Sequence, residues 1–227
     1  MVCAFCKGGY GPFMSKLNAF GYTFGEEVAN AVTHAVGVAL SVAGLAVLVA
    51  LAAANLSGAW VFVALAVYGA SMFALFTAST LYHTVTDVRM KRVLQIVDHS
   101  MIYIMIAGTY TPFCLLAMDF TEGLVIFAAE WVMAVLGIVL QGFYSGKDWY
   151  KCVIYLVMGW LAVFDIADVY ANSSALALTF LVAGGVTYSL GVIFYVWDRL
   201  PYNHAIWHVF VLAACVMQYF AVLQYVV

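Results

Sequence analysis

Long apolar stretches alternate with short polar breaks along the chain, and none of them alternates apolar and polar residue by residue. Seven such stretches stand out, at about 32–53, 58–83, 93–117, 123–143, 151–170, 175–196 and 203–225. Each is close to the roughly 20 residues an α-helix needs to cross the hydrocarbon of a bilayer, and the missing period of two argues against a membrane β-barrel. The breaks carry turn and charge chemistry. Asn55-Leu56-Ser57-Gly58 ends the first stretch and Asp87-Val88-Arg89-Met90-Lys91-Arg92 follows the second. Asp119-Phe120-Thr121-Glu122-Gly123, Ser145-Gly146-Lys147-Asp148, Asn172-Ser173-Ser174 and Asp198-Arg199-Leu200-Pro201 separate the rest.

Composition narrows the class. Of the 227 residues, 67% are hydrophobic and only 8% charged, with a mean hydropathy of +1.05. A soluble domain carries roughly 25% charged residues, so this chain cannot cover a water-facing surface. Seven spans of about 20 residues take up roughly 140 residues, which excludes a soluble enzyme and any sizeable extramembrane domain. Eight Lys and Arg against 11 Asp and Glu give a net charge of −3 and no basic surface for nucleic acid. The expected fold is all-α: an integral membrane bundle of seven transmembrane helices.

The cations set the orientation. Lys7 and Lys16 precede the first span, and Arg89, Lys91 and Arg92 lie between spans two and three. Lys147 and Lys151 lie between four and five, and Arg199 between six and seven, so all of them fall on one side. The positive-inside rule makes that side cytoplasmic, with the N-terminus in and the C-terminus out, as a multi-pass protein of the cell's inner (plasma) membrane. Met1 to Asn30 lacks the apolar core of a signal peptide. It reads as a cytoplasmic segment (1–30) ahead of a seven-helix domain (31–227), with Phe20, Phe24 and Val28 at i, i+4, i+8 suggesting a short interfacial helix. No internal repeat or low-complexity stretch is present.

An ionisable side chain inside a bilayer costs several kcal/mol and is a functional candidate by default. All five histidines (His34, His83, His99, His204 and His208) fall at the cytoplasmic ends of their spans, and Asp98 lies at the same depth. His204 and His208 are i, i+4, so both imidazoles leave one helix face about a turn apart. Ser79 and His83 are spaced in the same way. Three His from two helices can fill three positions of a tetrahedral Zn²⁺ site and leave the fourth for water. Asp98 could then hold that water or take its proton, and Ser79 could hydrogen-bond the water or the substrate. Bound zinc lowers the pKa of its water toward about 7. A lone interfacial His usually snorkels or satisfies a carbonyl, and on the residues alone both readings stay open.

These residues also carry a resemblance. Ser79-x-x-x-His83, then Asp98, then His204-x-x-x-His208 on seven spans resembles the haemolysin III family, grouped with the progestin and adipoQ receptors and the alkaline ceramidases. Glu26-Glu27-x-x-Asn30-x-x-Thr33-His34-x-x-Gly37 is similar to the family's lead into span one. Asp98-His99-Ser100 with Ala107-Gly108-Thr109-Tyr110-Thr111-Pro112, and Gly184-Gly185-x-x-Tyr188-x-x-Gly191, extend the match over roughly 25–225. The resemblance implies a cytoplasm-facing intramembrane zinc site with His83, His204 and His208 as ligands, Asp98 contacting the zinc-bound water and Ser79 behind it. It also implies membrane lipids as substrate: a zinc-dependent lipid amide hydrolase or a sensor of membrane-lipid homeostasis. The haemolysin name of bacterial members implies cytolysis through a pore. Cys3-Ala4-Phe5-Cys6 lies outside the family pattern, and Gln218-Tyr219 departs from it where another His is expected.

Other residues invite weaker readings. Cys3-x-x-Cys6 reads as reduced cytoplasmic thiols more than as a metal or dithiol site. Cys114, Cys152 and Cys215 read as small core residues, and an odd total of five gives no disulfide framework. Glu130, Asp165 and Asp168 are unexpected in lipid and could line a proton or ion path. Glu26 and Glu27 could close the site from the cytoplasm or only cap the first helix. The alternatives to a hydrolase are therefore an ion-conducting pore and a receptor-like protein in which zinc is a structural staple.

Overall fold

The computed structural model describes residues 17–56, 58–143 and 149–227, apart from the side chains of 142–143, 149 and 164–168. Cys3, Cys6, Lys7, Lys16, Lys147 and the side chains of Asp165 and Asp168 lie outside the described residues. The described residues are helical and contain no strand.

Among the described residues eight α-helices follow one another: α1 (Phe24–Asn55), α2 (Ala59–Thr84), α3 (Val88–Leu116), α4 (Phe120–Phe143), α5 (Trp149–Gly159), α6 (Ile166–Asn172), α7 (Ala175–Tyr195) and α8 (Asn203–Leu223). Six of them, all but α5 and α6, are long and apolar enough to cross a membrane. The stretch expected as a fifth continuous span is instead α5, a 3₁₀ turn over Leu161–Asp165, and α6. The break follows Gly159 and is held from another helix. The Tyr110 hydroxyl of α3 donates to Gly159 O (3.1 Å) and accepts from Ala162 N (2.8 Å), taking up backbone groups that the change of helix type leaves open. Trp160 is fixed by donating from Nε1 to Ser189 Oγ of α7 (3.0 Å).

The helices pack in chain order, α1 on α2, α2 on α3, α3 on α4 and α7 on α8, with α8 returning to α1 to close a ring. α5 leans on α3, α4 and α7. In lipid, close helix packing relies on small residues. Gly108 of α3 sits where a Cβ would run into Ser71 of α2, and Gly37 of α1 lies flat against the Phe76 ring of α2. On α1, Phe24, Val28, Val32, Val36 and Leu40 are exposed at intervals of four, while Glu27, Asn30, Ala31, His34, Gly37 and Ser41 are buried. That division is a lipid-facing stripe and an inward stripe of one helix.

The beginning of α1 differs from the expected separate interfacial helix. Phe20 lies in a turn and α1 runs unbroken from Phe24. A capping box closes its end: Glu26 N donates to Thr23 Oγ1 (3.2 Å) and Thr23 N donates to Glu26 Oε2 (2.8 Å). Glu26 Oε1 also accepts from Tyr202 N (3.1 Å), at the left-handed residue (φ 59°) that starts α8. The first and last long helices thus meet at one carboxylate. Lys91, read from sequence as part of a loop, belongs to the first turn of α3 and is buried.

Candidate metal centre

The end of the bundle where α1, α3 and α8 begin and α2 ends gathers the histidines. His83 comes from the last turn of α2, and His204 and His208 from the first turns of α8. All three are buried, and one nitrogen from each lies within 4.8 Å of the others. The i, i+4 pair is adjacent as its spacing predicts, with ring centroids 4.5 Å apart, and the His83 ring stands 5.2 and 5.1 Å from those of His204 and His208.

Two of the rings are oriented from behind. The His83 Nδ1–H donates to Glu27 Oε2 at 2.6 Å, because a carboxylate only accepts. Its Nε2 is buried and has no hydrogen-bond partner. The His208 Nδ1–H donates to Asn30 O at 3.2 Å and lies 3.4 Å from Thr33 Oγ1. His204 Nε2 is likewise buried without a partner. His83 thus has one nitrogen held from behind and the other buried without a partner, the arrangement metal-binding histidines adopt. The donor set therefore fits a divalent cation that prefers nitrogen ligands.

Glu26 and Glu27 divide the two roles weighed for them. Glu26 caps the helix, whereas Glu27 faces inward and also pairs with Lys91 Nζ at 2.8 Å. Lys91 in turn donates to Tyr82 O (2.7 Å) and Val85 O (3.3 Å). Asp98 stands outside the three-histidine group but lines the same cavity as His204 and His208. It faces the hydroxyl of Ser79 of α2. His34 stacks face to face on His208 (centroids 3.6 Å, 10° between planes), and His99 lies 3.3 Å from Lys151 Nζ through Nδ1, so neither joins the group. Tyr22 covers the cluster from outside, its ring 5.6 Å from His83 and 5.3 Å from His204.

Sequence reasoning named Asn30 only within the family motif, counted Lys91 only as a loop cation, and missed Tyr22. For Asn30 a signal existed: Glu27, Asn30 and His34 fall at i, i+3, i+7, one face of α1. Tyr22 reaches His83 and His204, and Lys91 reaches Glu27, only across distant stretches of sequence, and nothing local marks either for the site.

Behind the histidines a cavity of about 100 Å³ runs inward between α3, α5, α7 and α8. Ile102, Met105, Ile106, Val192, Trp207 and Val211 make much of its wall apolar. Glu130 borders neither this cavity nor its continuation. It is fully buried on α4, with no hydrogen bond to either carboxylate oxygen.

Residues 22–219 match the profile of a family described as Haemolysin-III related. The Hemolysin-3 homolog of Bacillus subtilis (strain 168) is 42% identical over 207 residues, 91% of this chain and 97% of that one. The Hemolysin-3 of Bacillus cereus is 42% identical over 202 residues, 88% and 92% of the two chains. The Homo sapiens protein called Monocyte to macrophage differentiation factor is 30% identical over 209 residues, 88% of this chain and 84% of its own.

Proposed function

The chain belongs to the haemolysin-III-related family of multi-span membrane proteins, and we propose that it is a zinc-dependent hydrolase of membrane lipids, acting on acyl amide bonds at the cytoplasmic face of the plasma membrane. The observation that carries this reading is the group of three buried histidines, two of which, His204 and His208, line a largely apolar cavity. Catalysis and a lipid chain need those two features side by side. The clustering of Lys and Arg in alternate loops supports a cytoplasmic mouth.

His83, His204 and His208 would hold the metal. Zinc so bound supplies a Lewis acid and makes a coordinated water acidic near neutrality. Asp98, on the cavity wall, accepts the proton of the attacking water at a carboxylate oxygen and returns it to the leaving amine nitrogen. Ser79 donates its hydroxyl hydrogen to Asp98 and holds that carboxyl in place. Glu27 and the Asn30 carbonyl fix the His83 and His208 rings. The apolar wall takes the acyl chain and excludes water from the reacting bond.

The test is metal content by mass spectrometry on detergent-purified protein beside His208→Ala, followed by turnover of ceramide-like and other acyl-amide lipids. About one zinc per chain, lost in the variant, together with turnover abolished by Asp98→Asn, is the expected result. Zinc without turnover of any acyl amide would leave a structural staple in place of an enzyme.

A further inference from the structure

The cavity behind the histidines does not end blindly. A second cavity of about 60 Å³ adjoins it towards Met118 and Val169. The two share six wall residues, Thr109, Tyr110, Gly159, Trp160, Gly185 and Gln218. At this neck nearly every polar hydrogen is already used. Thr109 Oγ1 donates to Met105 O, the Tyr110 hydroxyl is engaged on both sides by the break in the helix, and Trp160 Nε1 donates to Ser189. Gln218 is the exception. It is 5% exposed, and its Nε2 donates to Leu181 O at 3.2 Å. Its Oε1 is buried and has no partner.

A buried carbonyl oxygen without a donor is unfavourable, yet the fold makes room for it. A Cβ on Gly184 of α7 would lie 2.7 Å from Gln218 Nε2, so the glycine admits the amide. The amide is thus held at one atom and open at the other, on the wall of both cavities. What it lacks is a hydrogen-bond donor arriving along the cavity.

We propose that Gln218 Oε1 accepts a hydrogen bond from a hydroxyl group part-way along the acyl chain of the ligand, so that the site prefers mid-chain hydroxylated acyl groups. This rests on the lipid reading above and specifies its substrate class. Position follows from the helix. Gln218 lies ten residues beyond His208 on α8, which is about 15 Å at 1.5 Å per residue. A zigzag of C–C bonds of about 1.5 Å covers that distance in roughly a dozen carbons. The preferred hydroxyl therefore sits near carbon 12, counted from the carbonyl held at the histidines.

The experiment compares binding of stearic acid and 12-hydroxystearic acid, as product mimics, to the detergent-purified full chain and to Gln218→Met. Methionine keeps the length of the side chain and removes the amide. The wild type is expected to bind the hydroxy acid about tenfold tighter, and the variant to bind both alike through loss of that gain. Equal binding of the two acids by the wild type, or a preference that survives in Gln218→Met, overturns the proposal and leaves the lipid reading standing. Failure of both acids to bind overturns both readings. If Gln218→Met does not purify folded, Gly184→Ala takes its place, because it crowds the amide nitrogen from α7 and is expected to abolish the same preference.

Discussion

Glu27 Oε2 lies 2.6 Å from His83 Nδ1, across 56 residues of sequence, and its other oxygen pairs with Lys91. One carboxylate therefore sets the tautomer of a candidate ligand and neutralises a buried ammonium. Glu27→Gln keeps the shape but weakens the orienting bond, and metal affinity is expected to fall by about 10–100-fold. Competition against a chelator of known affinity measures this. Unchanged affinity would show that the pair serves only the fold.

The Lys91 side of that pair predicts a stability effect. Glu27→Ala leaves an ammonium in a buried setting without its carboxylate, at a cost on the order of 3–5 kcal/mol. Adding Lys91→Met to Glu27→Ala should recover part of the loss. Thermal unfolding in detergent, single variant beside double, reads the difference.

Metal retention should depend on pH in one direction. Each imidazole must be neutral to ligate, so binding competes with protons. Affinity is then highest above the ordinary imidazole range of about 6.5 and falls as pH drops through and below it. Metal titrations at a series of pH values check this. At free metal a thousandfold above Kd the loaded protein should gain about 4 kcal/mol, and a chelator should remove that gain.

The break between α5 and α6 depends on one hydroxyl. Tyr110→Phe strips Gly159 O and Ala162 N of their partner, at a cost of about 1–3 kcal/mol. That corresponds to a drop in Tm of several degrees, at about 2–4 °C per kcal/mol for a chain of this size. An unchanged Tm would mean the turn is held by its own backbone bonds.

Glu130 should behave in the opposite sense. Both its oxygens are buried without a hydrogen bond, so Glu130→Leu removes an unsatisfied group and is expected to raise Tm by a few degrees. A lower Tm, or loss of an ion conductance in planar bilayers, would show that the carboxyl is needed where it sits.

Much of this could be read from the sequence because much of it is local. Apolar runs of span length became single helices six times over, and the i, i+4 spacing of His204 and His208 brought their rings together. His83 joined them because matching depth in a bilayer confines residues to one layer. What could not be read depends on partners far along the chain. The fifth stretch is as apolar as its neighbours, but its helix breaks where Tyr110 of α3 offers the freed backbone groups a partner. Lys91 looked like a loop cation because its carboxylate lies 64 residues earlier. Glu26 and Glu27 are adjacent in sequence and opposite in duty, since successive helical residues point about 100° apart.

The ring of helices closes where Glu26 reaches the backbone of Tyr202, and two of the three clustered histidines enter with that closing helix. Chains grow from the N-terminus, so a ribosome has added every residue from α1 through α7 before His204 and His208 exist. Until then His83 and its carboxylate wait as half a binding site. A bound ion in a newly made molecule would therefore certify that synthesis reached α8, and a chain cut short before α8 would reach the membrane without two of the three clustered histidines.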